Sequence, residues 1–257
     1  MPSSPTPRLI AFDLDDTLAP SKTAIDPRMG DLLVALAERV DVAIISGGQI
    51  VQFRTQVVDR LPEASASALE RIHLMPTCGT QYYRFDGAEF SARYAHVLTP
   101  DESARAMAAV EEEARRLGLW ESETWGDILE DRGSQITFSA LGQRAPLDAK
   151  VAWDPTGEKK NALRAAVATR LPDLEVRSGG STSVDITHQG IDKAYGMRQL
   201  AAETGIPLDD MLFVGDRLDP DGNDYPVLAM GVACRAVEGW EETAEFLEEL
   251  LPSLPLR

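Results

Sequence analysis

The sequence predicts an α/β protein in which a Rossmann-like parallel sheet core is interrupted by an inserted α+β cap domain. Short apolar runs alternate with amphipathic helical segments in residues 1–81 and again from residue 190, the pattern of parallel strands joined by crossover helices. Between them, residues 82–189 contain short runs of apolar–polar alternation, typical of antiparallel strands. We therefore expect a core of residues 1–81 and 190–257 and a cap of residues 82–189.

The core elements follow one another in a regular order. An apolar run starts at Leu9 and stops at three carboxylates and a threonine, as expected of a strand that ends at a polar edge. Asp26-Pro27 then combines a helix N-cap with a first-turn proline. The other predicted core elements are strands at Val40–Ile45, His73–Pro76, Met211–Val214 and Gly231–Val237, and helices at Ile50–Leu61, Lys193–Thr204 and Glu238–Leu251.

The cap begins with a predicted hairpin in which Asp86-Gly87 forms a two-residue turn. A helix should start at Thr99, because Thr99-Pro100-Asp101-Glu102 has the form of a capping box with a first-turn proline, and it should end near Leu117. The remaining predicted cap elements are strands at Ile128–Arg132, Gln135–Ala140, Glu175–Arg177 and Ser183–Thr187, and a helix at Lys159–Leu171.

Composition narrows the range of partners. The 257 residues include 42 acidic and 25 basic side chains, for a formal charge of −17, so a general field that attracts nucleic acid or an anionic membrane is excluded. Cys78 and Cys234 have neither metal-ligand spacing nor the pattern of a disulfide framework. No apolar segment has the length of a bilayer span, so we expect a cytoplasmic protein.

Asp13 and Asp15 are the first candidates for chemistry. They follow a strand and are two residues apart, so their side chains point to the same side in an extended backbone. Two carboxylates at one strand end repel each other unless a cation lies between them. A hard divalent cation with oxygen ligands, Mg²⁺, fits this position.

Three later segments would complete such a site. A second apolar strand ends in Ser46-Gly47-Gly48, Asp192-Lys193 opens a helix, and a third strand ends in Gly215-Asp216, followed by Asn223-Asp224. Because parallel strands present their carboxyl ends at one edge, these residues should gather there. In order, the four segments resemble the signature of the haloacid dehalogenase superfamily of phosphoryl-transfer enzymes.

This resemblance implies a role for each motif residue. Asp13 would attack phosphorus and form an aspartyl-phosphate, and Asp15 would serve as general acid and then base. Thr17 and Ser46 would donate hydrogen bonds to phosphoryl oxygens, and Lys193 would neutralise their charge. The proposed Mg²⁺ ligands or supporting groups are Asp13, Asp15 through its backbone carbonyl, Asp216, Asn223 and Asp224.

The cap has a closer resemblance to eukaryotic-type phosphomannomutases. The similar stretches span most of the chain: Phe12–Ile25, Ser46–Gly48, Arg132–Gly142, Gly179–Asp185, Asp192-Lys193 and Gly215–Asp224. The resemblance implies that Gly47, Arg132, Ser183 and Asp185 bind substrate. Lys22, Gln143 and Lys150, which we also assign to substrate binding, fall where those enzymes have arginines, which removes two-pronged donors from the distal anion site.

A weaker distal anion site disfavours a mutase, which must hold a bisphosphate at both ends, more than it disfavours a hydrolase. The sequence therefore predicts a Mg²⁺-dependent phosphatase of a phosphorylated sugar. The alternatives are a phosphomannomutase, which converts mannose 6-phosphate to mannose 1-phosphate, and a non-catalytic phosphosugar-binding regulator. An exposed strand edge of the cap would also permit a homodimer.

Overall fold

The computed structural model describes residues 6–179 and 182–256, and the chain forms two compact units. The first unit contains the chain up to Ala95 and again from Asp192 onward. The second unit is His96–Ile191. Residues 1–5, 180, 181 and 257, which the predicted core and cap include, lie outside the described residues.

The strands, in chain order, are β1 Leu9–Phe12, β2 Asp41–Ile45, β3 Ile72–Met75, β4 Gln81–Phe85, β5 Phe90–Ala95, β6 Leu129–Asp131, β7 Ile136–Ser139, β8 Leu174–Ser178, β9 Ser183–His188, β10 Met211–Gly215 and β11 Ala233–Ala236. In the first unit the described strands form one seven-stranded sheet, ordered β11-β10-β1-β2-β3-β4-β5. Its strands β11, β10, β1, β2 and β3 are parallel, and β4 and β5 add an antiparallel hairpin at one edge. The predicted α/β class is confirmed.

The helices, in chain order, are α1 Pro27–Ala37, α2 Ile50–Gln56, α3 Ala66–Leu69, α4 Pro76–Gly79, α5 Pro100–Arg116, α6 Leu147–Trp153, α7 Glu158–Arg170, α8 Lys193–Thr204, α9 Tyr225–Ala229 and α10 Trp240–Leu250. Both predicted helix N-caps are present. The Asp26 side chain accepts a hydrogen bond from Arg28 N, and Thr99 and Glu102 form the capping box of α5. None of the helices in the described part of the chain has the length and hydropathy that a bilayer-spanning segment requires.

Both faces of the central strands β1, β2 and β3 of the first sheet are buried. Phe12 of β1 packs in a core with Leu33 of α1, whereas Ala11, which points the opposite way, packs in a second core with Met197 of α8. This double burial explains why β1 is an uninterrupted apolar run. The register pairs Phe12 with both Val214 and Ile44, so the residues that follow these three neighbouring strands emerge at the same edge.

The second unit contains a four-stranded antiparallel sheet, ordered β6-β7-β9-β8 over the described residues. One face is apolar: Phe138 and Ile186 lie in a core with Val110 of α5 and Leu163 of α7. The alternate positions of β7 and β9 are polar and form the opposite face of the sheet. The α+β character expected of the insertion is thus present.

The boundary between the units differs from the predicted one at residues 81/82. The hairpin of β4 and β5, which we had expected in the cap, extends the first sheet because Leu74 and His73 of β3 pair with Tyr83 and Arg84 of β4. The Tyr82 hydroxyl also hydrogen-bonds His73 Nδ1 at 2.8 Å. The turn chemistry of the hairpin was readable from the sequence, but the sheet that it joins was not.

The predicted helices differ from the observed ones in two ways. The helix predicted at Ile50–Leu61 stops at Gln56, because Val57 leaves helical geometry with φ −120° and ψ −64°, and a 3₁₀ turn at Val58–Arg60 follows. The short helices α3, α4, α6 and α9 were not predicted. Helix α6 follows Pro146 and has no side-chain cap hydrogen bond, so its start carries none of the usual signals.

Candidate active site

A buried ion-pair network lies at the carboxyl end of β1. Asp13 follows the strand, and its backbone N–H donates to the Val214 carbonyl at 3.0 Å. Lys193 Nζ lies 2.7 Å from Asp13 Oδ1 and 2.5 Å from Asp224 Oδ1. Asp13, Lys193 and Asp224 are 5%, 1% and 0% exposed. One buried ammonium group therefore joins two buried carboxylates.

Local backbone features place the partners of Asp13. Lys193 is the first residue of α8, whose N-cap Asp192 accepts a hydrogen bond from Tyr195 N at 2.8 Å. Asp224 Oδ2 accepts from Arg217 N at 3.1 Å. The last residue of β10 is Gly215, and a Cβ at this position would collide with the Asp224 carboxylate. A glycine before Asp216 therefore gives Asp224 its space.

Three carboxylates form a cluster that could hold a metal ion. One oxygen from each of Asp13, Asp216 and Asp224 lies within 4.8 Å of the others. Thr17, which is fully buried, donates its hydroxyl to Asp216 Oδ1 at 3.3 Å. The donor atoms are all carboxylate oxygens, which are the ligands that a hard divalent cation takes.

Burial, and to a smaller extent neighbouring carboxylates, raises the pKa of two carboxyl groups in this cluster. Burial raises the pKa of Asp13; the Lys193 ammonium group opposes the rise, and the charge of Asp224 adds to it. Burial and Asp224 likewise raise the pKa of Asp216. Burial alone would lower the pKa of Lys193, but the carboxylates of Asp13 and Asp224 outweigh it and the pKa is raised. A second cation would relieve the repulsion that the single lysine leaves.

Asp15 lies outside this carboxylate cluster. Its Oδ1 accepts hydrogen bonds from Lys22 N at 2.7 Å and from Gln56 Nε2 at 3.4 Å. Gln56 is 4% exposed, and its Nε2 also donates to the Thr23 carbonyl at 2.8 Å. The predicted general acid is thus held by the loop that follows it and by the end of α2.

Asp16 and Lys22 shape that loop. Both have left-handed backbones, with φ values of 63° and 59°. The Asp16 carboxylate accepts from Ser21 N at 3.0 Å, and burial raises its pKa. The Lys22 side chain, predicted to bind substrate, is exposed. The Asp16 side chain therefore stabilises the loop by a hydrogen bond within it.

Ser46 lies directly after β2, the strand next to β1, and is 5% exposed. Its Oγ accepts a hydrogen bond from Gly48 N at 3.1 Å. A Cβ at Gly47 would meet no atom within 4 Å, so the backbone there faces open space. Of the predicted residues near Asp216, Asp224 is buried in the cluster, whereas Asn223 is exposed.

The predicted substrate-binding residues of the cap form two groups in the second unit. Arg132 donates from Nη2 and Nε to Glu130 Oε2 at 2.8 Å and 3.3 Å, and its side chain is 8% exposed. Ser139 joins the second group: Gln143 Nε2 bonds its Oγ at 2.8 Å, and Ser183 Oγ lies 3.3 Å from it. Lys150 Nζ donates to the Gln143 carbonyl at 3.4 Å.

Asp185 completes the polar face of the cap sheet. Its Oδ1 accepts hydrogen bonds from Thr137 Oγ1 at 2.7 Å and Gln135 Nε2 at 2.9 Å. A Cβ at Gly179 would lie 2.6 Å from Asp185 Oδ2, which explains a glycine beside this carboxylate. Residues 180 and 181, within the stretch that resembles the mutases, lie outside the described residues.

Sequence reasoning missed several partners in both units. The missed residues are Gln56 in the first unit and Glu130, Gln135, Thr137 and Ser139 in the second. The alternation of polar and apolar residues along β7 puts positions 135, 137 and 139 on one face, which is a usable signal. Gln56 had no such signal, because its role depends on where α2 ends.

Comparisons with known proteins agree with this fold. The family model of the haloacid dehalogenase-like hydrolases matches residues 144–233. A probable phosphomannomutase of Caenorhabditis elegans is 24% identical over 258 residues, which cover 96% of each chain. Phosphomannomutase 1 of Homo sapiens is 24% identical and covers 86% of this chain and 83% of its own. A C-terminally truncated IMP-nucleotidase of Plasmodium falciparum superposes with a TM-score of 0.72 at 14% identity, covering 96% of this chain and 72% of that one.

Together, the fold and the site define a phosphoryl-transfer enzyme. The chain is similar to the haloacid dehalogenase-like hydrolases over residues 144–233 and to phosphomannomutases over most of its length, as its four motifs indicated. The proteins that it resembles include mutases and hydrolases, which is consistent with a phosphoryl-transfer enzyme of one of these two kinds.

Proposed function

We propose that this chain is a Mg²⁺-dependent sugar-phosphate phosphatase that reacts through an aspartyl-phosphate on Asp13. The observation that carries the proposal is the buried Lys193 bridge between Asp13 and Asp224, beside Asp216. A carboxylate can approach a phosphate ester only where positive charge offsets the repulsion. The cation held by Asp13, Asp216, Asp224 and the Asp15 carbonyl would supply that charge, with Asn223 supporting its waters.

The chain's own residues account for both half-reactions. A carboxylate oxygen of Asp13 attacks phosphorus, the bond to the sugar oxygen breaks, and Asp15 gives that oxygen a proton. Water then attacks the phosphoryl group, Asp15 takes its proton, and the bond to Asp13 breaks to release phosphate. Thr17 and Ser46 donate hydrogen bonds to the phosphoryl oxygens in both steps.

The cap residues support a phosphorylated sugar as the substrate. The polar face of the cap sheet presents hydroxyl, amide and carboxylate groups at Ser183, Gln143 and Asp185, which suit the hydroxyls of a sugar. Arg132 is a charged donor that the cap offers to an anion, and it shares its guanidinium with Glu130. The presence of lysine and glutamine at Lys150 and Gln143 favours hydrolysis over mutase chemistry, which needs a firm second phosphate site.

A second candidate function is a phosphomannomutase. It is favoured by the relatives of that name, which align with nearly the whole chain, including the cap. In that case the acceptor of the phosphoryl group on Asp13 would be a sugar hydroxyl rather than water. The cap would serve as the specificity domain in either function.

The deciding experiment supplies a panel of phosphorylated hexoses with Mg²⁺, with and without a hexose bisphosphate, and measures free phosphate and isomerised product separately. We expect phosphate to form faster than isomer. A Gln143→Arg/Lys150→Arg variant, which restores arginine at both positions, should shift the ratio toward isomer. Isomer formed faster than phosphate by the wild type would establish the mutase instead.

Two further proposals concern the protein's surroundings. We place it in the cytoplasm, where Cys78 and Cys234, which are not joined in a disulfide, would remain reduced. We also propose a homodimer through the cap, because β6 and β8 end its sheet and an edge strand can pair with another copy. Light scattering of the wild type and of an Asp131→Pro variant in β6, where the backbone N–H faces away from β7, would test this dimer, which the variant should weaken.

A further inference from the structure

A strained turn follows β3 in the first unit, at Pro76–Thr80. Thr77 and Cys78 both adopt left-handed backbones, with φ values of 48° and 55°. This conformation is unfavourable for residues other than glycine, and most of all for a β-branched residue such as threonine. Such strain persists only where the surrounding structure enforces it.

Hydrogen bonds to the loop after β2 enforce this conformation. Thr77 N donates to the Gly48 carbonyl at 3.0 Å, and Cys78 N donates to the Ser46 carbonyl at 2.9 Å. The turn therefore binds the backbone of Ser46 itself. Within the turn, the Thr80 hydroxyl donates to the Thr77 carbonyl at 3.0 Å.

The other side of the turn packs against α8 without intervening side chains. A Cβ at Gly79 would lie 2.5 Å from the Cα of Gly196, and a Cβ at Gly196 would lie 2.9 Å from the Cys78 carbonyl oxygen. Gly196 is three residues after Lys193, so the two residues lie on neighbouring positions of the same helix face. The contact thus fixes α8 one turn from the lysine that bridges Asp13 and Asp224.

A third contact holds the turn from the edge hairpin. The Tyr94 hydroxyl of β5 donates to the Gly79 carbonyl at 2.8 Å. The turn is therefore connected to three separate elements: the Ser46 loop, the Lys193 helix and the hairpin.

We propose that the Pro76–Thr80 turn and Gly196 are positioning residues that set Ser46 and Lys193 at the spacing required to hold one phosphoryl group. This inference rests on the proposed function, in which those two side chains contact the same group. The turn is bonded to the backbone of one and packed against the helix of the other, so a displacement here would move the two donors apart. A misplacement of about 1 Å can cost about a hundredfold in rate.

The first test is Gly196→Ala, compared with Ala202→Gly on the exposed side of the same helix. Alanine normally stabilises a helix relative to glycine, so helix propensity alone predicts a more stable and equally active Gly196→Ala variant. We expect instead that kcat for phosphorylated hexoses falls at least about tenfold. The Mg²⁺ concentration for half-maximal rate should stay within about twofold, because the three metal-cluster carboxylates are outside the contact.

The second test needs no added atoms and so avoids a folding defect. Tyr94→Phe removes the hydrogen bond to Gly79, and Tyr83→Phe in the same hairpin removes a hydroxyl that bonds Gln81 instead. Tyr94→Phe should lower kcat by about twofold to fivefold without a change in Mg²⁺ dependence, and Tyr83→Phe should not.

The outcomes distinguish the proposed function from the positioning role of the turn. A wild type that turns over no phosphate ester contradicts the proposed function and this inference with it. An active wild type whose folded Gly196→Ala and Tyr94→Phe variants keep the wild-type kcat contradicts the positioning role alone. A fall in kcat that is accompanied by an equal rise in the Mg²⁺ concentration for half-maximal rate would likewise assign the turn a general structural role.

Discussion

The two units of this protein build their polar surfaces by different physical means. In the first unit, charged groups are fully buried at strand ends, and one lysine serves two carboxylates. In the second, a sheet face carries hydroxyl, amide and charged groups together, among them Asp185 and the pair of Arg132 with Glu130. Removing the partner of a fully buried charge costs about 3–5 kcal/mol, whereas one hydrogen bond between neutral groups contributes about 1 kcal/mol. The first surface is therefore suited to fixed chemistry and the second to variable specificity.

The largest effect should come from the nucleophile. Asp13→Asn removes the attacking carboxylate but keeps its shape, so turnover should fall by at least about 10³-fold while the fold remains. Phosphate release from a phosphorylated hexose and from a simple aryl phosphate measures this loss. Asp31→Asn, on the exposed surface of α1, is the matched control and should be fully active.

Appreciable turnover by Asp13→Asn would show that this residue is not the nucleophile. The contrast between a first unit that carries the chemistry and a second unit that carries specificity would then lose its main support. Equal losses of turnover for the two substrates would strengthen this contrast, because the aryl phosphate has no sugar for the cap to recognise.

The next effect concerns stability. Lys193→Met should destabilise the protein by about 3–5 kcal/mol, because it leaves the buried carboxylates of Asp13 and Asp224 without their shared cation. Urea denaturation without Mg²⁺ measures the change. Lys159→Met in α7 is the control and should cost far less. Equal losses in the free energy of unfolding for the two variants would show that the buried ion pairs of Lys193 contribute no more to stability than the contacts of an exposed lysine in the second unit.

The same contrast explains how far the sequence could be interpreted. Asp13, Ser46 and Asp216 were predictable, because each follows an apolar strand and parallel strands bring their carboxyl ends to one edge. The Lys193 bridge depends on its place in the motif series, since a lysine at the start of a helix is usually exposed. Gly215 becomes intelligible only when the Asp224 carboxylate is seen in the space of its missing Cβ.

Other features depend on contacts that no local pattern encodes. The hairpin of β4 and β5 had clear turn residues, but only pairing between Leu74 and Tyr83 assigns it to the first sheet. The left-handed Thr77 and Cys78 contradict their own backbone preferences, so sequence rules would not place a strained turn there. In the cap, Glu130 was passed over because a glutamate on a short strand usually faces solvent.

A moderate effect should distinguish the cap from the core. Arg132→Ala should raise KM for a phosphorylated hexose about tenfold and leave aryl phosphate hydrolysis unchanged, because it removes a charged donor for the substrate's distal part. Steady-state kinetics with both substrates measures the difference. Arg116→Ala on the exposed surface of α5, which packs on the opposite, apolar face of the sheet, is the matched control. A parallel loss with both substrates would mean that Arg132 supports the fold rather than specificity.

The smallest effect is a pH dependence confined to the first unit. Burial raises the pKa of Asp13 and Asp216, so the metal-free folded protein binds more protons than the unfolded chain, and its stability should fall as pH rises above the unfolded carboxyl pKa. Mg²⁺ competes with those protons, so its binding should release protons and stabilise the protein more at about pH 8 than at about pH 6, by about 1 kcal/mol. Thermal unfolding with Mg²⁺ or with a chelator at each pH measures the difference. A stabilisation that is independent of pH, or that grows as pH falls, would mean that these carboxylates do not bind the ion in competition with protons.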